Sequence, residues 1–462
     1  MRKTISFLFF AISLMTLAQE RRLVKGVITD NVVVTDSTTE TFALYLPRNF
    51  EMARAWPIVF VFDMDGKGKQ AISMFKEAAE EEGYILAGSN NTNDSLTLSQ
   101  NVLVAKRMFN EVFEILPIGK NRSYTAGFSD GARFASVIPN FIRDISGVIS
   151  CGASIGNVEI LNAKRPFHFI GVVGRSDYNY IDLRSRQNVL NKLRFPNQLV
   201  LFEGGSAWPS KRELATALKL FSLNAMAKGV EKRDDDFVSS SYTDLLTKAN
   251  TFLTEGNPLL SDYLLSDMIK IYHPLRNTDS LKVTQKALRR SKSFRTNKRI
   301  QNNYFLKETF TRDDYSYYLE EDVITYNYNN LGWWNYQMSE LRKIEKSNNP
   351  FEKRMGKRLC GYLNALIEDN IDIITAEKVV DNEALNFLFM LKTITDPMNY
   401  QYYFKIISNS CKIEDYGTAL FYLEELLKKG YKDKSKLYSL EDAALFRITP
   451  EFNALIDKYL ER

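Results

Sequence analysis

The residues that could do chemistry are few. Ser129 stands at the centre of Gly127-Phe128-Ser129-Asp130-Gly131, a G-x-S-x-G segment. A serine held in a tight turn between glycines suits acyl transfer, in which its hydroxyl attacks a carbonyl and nearby N–H groups steady the oxyanion. The attack needs a base to take the hydroxyl proton, most often an imidazole. The chain has two histidines, His168 and His273. His168 lies in a strand-like stretch whose neighbours Phe167 and Phe169 would face the opposite way, and it reads as a core or sheet-end histidine. His273 precedes Pro274 in a helical region and could serve Ser129 only if that region capped the site. A His-rich metal site cannot be built from two histidines. Cys151, Cys360 and Cys411 have no C-x-x-C spacing and read as buried thiols, a disulfide being open but not indicated. No cofactor is implied.

A nucleophile turn needs a strand entering and a helix leaving. Ser123-Tyr124-Thr125-Ala126 supplies the strand, and Ala132-Arg133-Phe134-Ala135-Ser136 opens the helix. The surrounding region, 22–228, alternates the two element types. Phe42-Ala43-Leu44-Tyr45-Leu46-Pro47 reads as a strand. Pro57-Ile58-Val59-Phe60-Val61-Phe62 is apolar throughout, as expected of a central parallel strand buried on both faces. Further strands are expected at 83–88, 147–150, 167–173 and 199–202, with helices at 71–82, 101–116 and 211–226. The fold class is therefore α/β, a mostly parallel sheet with helices on both faces. Residues 229–240, with a charged run from Glu231 to Asp236, read as a linker. From 241 to 462 the chain reads as all-helical, with stretches at 242–253, 281–291, 332–345, 353–368 and 383–395.

Five segments carry a resemblance to a family. They are Leu44-Tyr45-Leu46-Pro47, the strand 57–62, Asn121-Arg122-Ser123-Tyr124, Gly174-Arg175-Ser176-Asp177, and Gly204-Gly205-Ser206-Ala207-Trp208-Pro209. Together they resemble the secreted esterases grouped with polyhydroxybutyrate depolymerases and feruloyl or acetyl-xylan esterases, all α/β-hydrolases. The resemblance implies Ser129 as nucleophile position and Asp177 as the acid. It puts the family's base, a histidine in a Gly-Gly-Gly-His-x-Trp-Pro-like segment, at Ser206. It sets the oxyanion-hole region at Asp63, Met64 and Asp130, where the family carries His-Gly and this chain reads Asp63-Met64-Asp65-Gly66. Carboxylates there would oppose a developing oxyanion if they pointed inward. Separately, Tyr403, Ile406, Tyr416, Ala419, Leu423 and Leu426 fall where a tetratricopeptide helix pair wants its packing residues, a generic helical bundle being the alternative.

The first twenty residues carry an address. Arg2 and Lys3 precede an apolar run from Ile5 to Leu17, and Thr16 and Ala18 suit a cleavage site before Gln19. This predicts a signal peptide over 1–18 and a protein exported to the periplasm or outside the cell, with no transmembrane segment after cleavage. A formal net charge of +5 over 462 residues and the absence of a basic block interleaved with aromatics argue against nucleic acid. The basic run from Lys286 to Arg299 and the acidic run Asp313, Asp314, Glu320, Glu321 and Asp322 read as solvated helix faces. Trp333-Trp334 reads as core packing. The substituted base slot favours a catalytically impaired hydrolase domain acting in binding, with a protein partner on the helical domain. The alternative is an active serine carboxylic-ester hydrolase with an ester or glycan ligand in the cleft.

Overall fold

The computed structural model describes residues 24–35 and 39–460. The expected signal peptide lies outside them. Eight strands form one sheet: β1 (Ile28–Val33), β2 (Thr41–Tyr45), β3 (Trp56–Phe62), β4 (Ile85–Ser89), β5 (Ile118–Phe128), β6 (Ile145–Cys151), β7 (His168–Gly174) and β8 (Asn197–Phe202). Their order is β1-β2-β4-β3-β5-β6-β7-β8. β2 runs antiparallel to both neighbours, and the pairs from β4 through to β8 are parallel. Parallel neighbours require long crossovers. Those carrying helices use α1 (Gly68–Glu82), α2 (Leu98–Ile115), α3 (Asp130–Phe141) and α4 (Tyr180–Lys192), and α5 (Lys211–Ala227) follows β8. This is the α/β-hydrolase arrangement.

The two faces are sorted by strand alternation. In β3, Val59 and Val61 join the core under α1 and α5, whereas Ile58, Phe60 and Phe62 join the core under α2 and α3. Local signals fix the helix starts. Thr97 and Gln100 form a capping box at α2, and Ser210 accepts from the Arg212 N–H at α5.

Three helices follow: α6 (Asp235–Thr254), α7 (Pro258–Tyr272) and α8 (Asp279–Arg290). Asp234 caps α6 by accepting from the Phe237 N–H, so 235–240 are helical where the sequence reads as a linker. Val238, Tyr242, Ala249, Leu265, Met268 and Ile271 pack into the same core as α1 and α5. These helices therefore extend the sheet's own core. No composition change marks that, because helices covering a sheet and helices in a bundle share one apolar period.

A separate helical core begins with α9 (Lys292–Ile324) and continues through α10 (Leu331–Ile344), α11 (Pro350–Thr375), α12 (Asn382–Thr395) and α13 (Tyr400–Lys412). Trp334 is buried here and donates from Nε1 to Asp322 at 2.8 Å. Asp322 is thus a buried acceptor, a correction to its reading as part of a solvated face; Asp313, Asp314, Glu320 and Glu321 are exposed. A last core joins α13, α14 (Tyr416–Lys428), α15 (Lys434–Tyr438), α16 (Ala444–Arg447) and α17 (Pro450–Leu460). No helix among the described residues is long and apolar enough to cross a membrane.

Candidate active site

The turn after β5 is built by close approach. A Cβ at Gly127 would lie 2.3 Å from the Gly131 carbonyl carbon, and one at Gly131 would lie 2.2 Å from the Phe62 oxygen. Both contacts are closer than real Cβ atoms allow, so glycine is required on each side of Ser129. Ser129 itself has φ 50° and ψ −118°. A non-glycine residue in that region costs about 1–3 kcal/mol and is held by its surroundings. Here its N–H donates to the Cys151 carbonyl at 3.0 Å, and its own carbonyl accepts from Ala132 and Arg133, both at 3.0 Å, as α3 begins.

Asp177 follows β7 in a loop set against that turn. Its Oδ1 accepts from the Asn179 N–H at 2.8 Å, and the Asn179 amide donates to the Gly152 carbonyl at 2.7 Å. Asp177 Oδ2 lies 3.2 Å from where a Gly152 Cβ would stand. Gly152 directly follows Cys151, the acceptor for Ser129, so nucleophile turn and acid loop share one support. Burial pushes the Asp177 carboxyl up to about 6, opposed by the Asn179 N–H and by Arg312.

The loop carrying Ser206 adjoins both. The Ser176 N–H donates to the Gly204 carbonyl at 2.8 Å, and Trp208 stacks on Phe128 at 5.2 Å between ring centroids. Ser206 is exposed at the surface of this loop. Thus Ser129, Asp177 and Ser206 sit on neighbouring loops at the carboxyl end of the sheet.

Neither histidine joins them. His168 is the first residue of β7, at the opposite end of that strand from the acid loop. It is wholly buried, its Nε2 bonded to Gln198, and burial pushes its imidazole down to about 4. His273 caps the C-terminus of α7 and is exposed, with α7 packed on α6 and α8.

Asp63, Met64 and Asp130 lie around the turn. Asp63 Oδ1 accepts from the Asp65 N–H at 2.8 Å, and Asp65 pairs with Lys67 at 2.7 Å. These carboxylates serve their own turn. The N–H groups of Met64 and Asp130 donate no backbone hydrogen bond among the described residues. The wider mouth is acidic. Asp94 is raised by burial and then by Asp130, Asp65, Asp372 and Asp63.

Asp372 belongs to the helical domain, which the sequence did not place over the site. On α11, Asp369 is raised by burial, with Arg133 and Asp130 of α3 within electrostatic reach. A Cβ at Gly361 would lie 3.3 Å from the Tyr178 ring. Arg312 of α9 donates to the Tyr178 carbonyl at 2.5 Å, and Arg358 of α11 donates to the Arg175 carbonyl at 2.8 Å. Both arginines converge on the buried Glu308, at 3.0 Å and 2.6 Å. The acid loop 175–178 is therefore clamped from above by α9 and α11. Alternation of charge along α9 could have hinted at Glu308 and Arg312 as an i, i+4 pair, but not at its burial.

No family model matches the chain, and no curated protein does. Among solved structures the chain is similar to S-formylglutathione hydrolase from Staphylococcus aureus, at 11% identity and TM-score 0.35 over 42% of this chain and 95% of that one. Est1E from Butyrivibrio proteoclasticus matches at 12% and 0.33, over 43% and 99%. Esterase 2 from Thermogutta terrifontis matches at 14% and 0.35, over 47% and 100%.

Proposed function

We propose that this is an exported, esterase-like α/β-hydrolase-fold protein whose site no longer hydrolyses esters efficiently and whose helical domain serves binding in the cell envelope. One observation carries the reading: the loop position that would hold the base presents Ser206, and the two histidines of the chain lie elsewhere. A serine hydroxyl does not accept a proton near neutral pH. Loss of a triad histidine costs a factor of roughly 10⁶ in turnover, or about 8 kcal/mol of barrier. Helix α11 lies against the acid loop, which supports a role for the helical domain at this end of the sheet. Leu306, Phe310 and Tyr317 are exposed along one face of α9, a surface suited to a protein partner.

The second reading is an active serine carboxylic-ester hydrolase on a carbohydrate or polymer ester. The strained Ser129 favours it, since strain at a nucleophile turn is kept at a cost to stability. Hydrolysis of short-chain p-nitrophenyl esters by the wild type and by Ser129→Ala separates the two. Equal rates in both support the binding reading, and turnover lost with Ser129→Ala establishes the enzyme.

A further inference from the structure

Two adjoining cavities lie in the seam between the sheet and the helical domain, of about 40 Å³ and about 10 Å³. Arg175, Tyr180 and Gln301 line both, with Arg184, Lys298 and the carboxylate Asp262, held by Arg289, in the larger. The seam is separate from the Ser129 turn.

Its lining is rich in donors that lack acceptors. Gln301 is 6% exposed; its amide makes no hydrogen bond among the described residues, and its polar atoms keep contact with solvent. Arg184 donates to the Tyr180 oxygen at 3.2 Å and otherwise faces the rings of Tyr180, Tyr263 and Phe305 at 5.6–5.7 Å. The Tyr180 hydroxyl proton has no acceptor among the described residues, and neither Arg184 nor Lys298 has a carboxylate within ion-pair distance among them.

The nearby carboxylates are already engaged. Glu203 faces Arg175 and Arg354, Glu308 faces Arg358 and Arg312, and Asp262 is held by Arg289 at 2.6 Å. The surplus is positive. Burial raises the Tyr180 phenol, yet Arg184, Arg175 and Arg358 together pull it below its ordinary value. Lys298, although exposed, is pushed down by partial desolvation and then by Arg184, opposed by Asp262.

We propose that this seam cavity binds a small inorganic oxyanion of the phosphate class, held by Arg175, Arg184, Lys298, Gln301 and Tyr180. Guanidinium forks match tetrahedral oxyanions, and an anion would relieve the mutual repulsion of the clustered cations. The larger cavity has room for roughly three water-sized spheres, which suits a compact anion rather than a nucleotide or sugar. Arg175 begins the acid loop and Gln301 sits on α9, so the anion would tie the two domains together.

The test titrates inorganic phosphate, and sulfate in parallel, into the full chain while sodium chloride holds ionic strength constant. Thermal unfolding and titration calorimetry are the readouts. A ligand of the native state raises the unfolding temperature in a saturable way. The expected result is such a rise, half-maximal below 1 mM ligand on the order of ordinary anion sites. Binding should weaken at least tenfold in Arg184→Gln and in Gln301→Leu. Lys298 is exposed, so Lys298→Gln tests the charge without disturbing the core, and it too should weaken binding. Lys307→Gln, on the same helix away from the cavity, should bind as the wild type does. A response no different from chloride, or one unchanged in Lys298→Gln and Arg184→Gln, would overturn the proposal.

Discussion

Arg358 on α11 donates to the backbone carbonyl of Arg175 at 2.8 Å, two residues ahead of Asp177. The same guanidinium grips Glu308 through Nε at 3.0 Å and Nη2 at 2.6 Å. The loop that carries Asp177 is thereby built against the helical domain, and the two halves of the chain are coupled there.

Removing Glu308 should expose that coupling. Its carboxylate is fully buried between Arg358 and Arg312, so Glu308→Ala leaves buried Arg358 without a carboxylate and Arg312 with Asp182 alone, at 3.4 Å. Breaking such a pair costs about 3–5 kcal/mol. Urea unfolding of the variant should show that loss; a change under about 1 kcal/mol would mean solvent reaches the cluster.

The glycines around Ser129 make a sharper steric test. Gly131→Ala would drive a methyl to 2.2 Å from the Phe62 oxygen. The expected loss is about 3 kcal/mol or more, as for other overpacked sites. Gly156→Ala, where a Cβ meets nothing within 4 Å, should change stability by less than about 0.5 kcal/mol. Equal effects would refute the geometry of the turn.

Much of this was legible in the sequence because it depends on local chemistry. The continuous apolar run of β3 and the Gly-x-Ser-x-Gly turn after β5 located the sheet and the strand-to-helix turn at Ser129. Gly174 and Trp208 located the neighbouring loops, where Trp208 stacks on Phe128. Other features depend on contacts distant in sequence. β1 is a half-exposed edge strand with mixed pattern, and α4 has little amphipathic contrast, so neither stood out. Glu308, Arg312 and Arg358 carry no local signal of their burial, since burial of an ion cluster is decided by what packs on it. Helices α6 to α8 look like the later helices in composition, but their apolar faces meet the sheet.

Asp177 should leave a signature in pH-dependent stability. Its carboxyl moves from 3.8 unfolded to about 6 folded, chiefly through burial. Between those values the native state binds more protons than the unfolded state, so stability falls as pH rises through this window. Asp177→Asn cannot ionise. It should be more stable than wild type by about 2–3 kcal/mol at pH 8, with the gap closing below about pH 4. A variant less stable than wild type at pH 8 would show that the ionised carboxylate is favourably held.

Ser206→His tests the base position directly. The loop is exposed, so an imidazole fits without repacking. The variant should fold as the wild type does and gain p-nitrophenyl ester hydrolysis by at least about tenfold, since a positioned general base contributes roughly 10²–10⁴. No gain in a folded variant would place the obstruction at the acidic mouth, around Asp63 and Asp130, instead.

The most direct measurement is the intact mass of the wild-type protein after incubation with a fluorophosphonate at neutral pH, with Ser129→Ala alongside. The reagent reports whether the Ser129 hydroxyl is activated, whatever the natural ester. Without a base within reach, Ser129 should stay unmodified over hours. Stoichiometric modification within minutes, lost in Ser129→Ala, would contradict the account and make this site a working serine hydrolase.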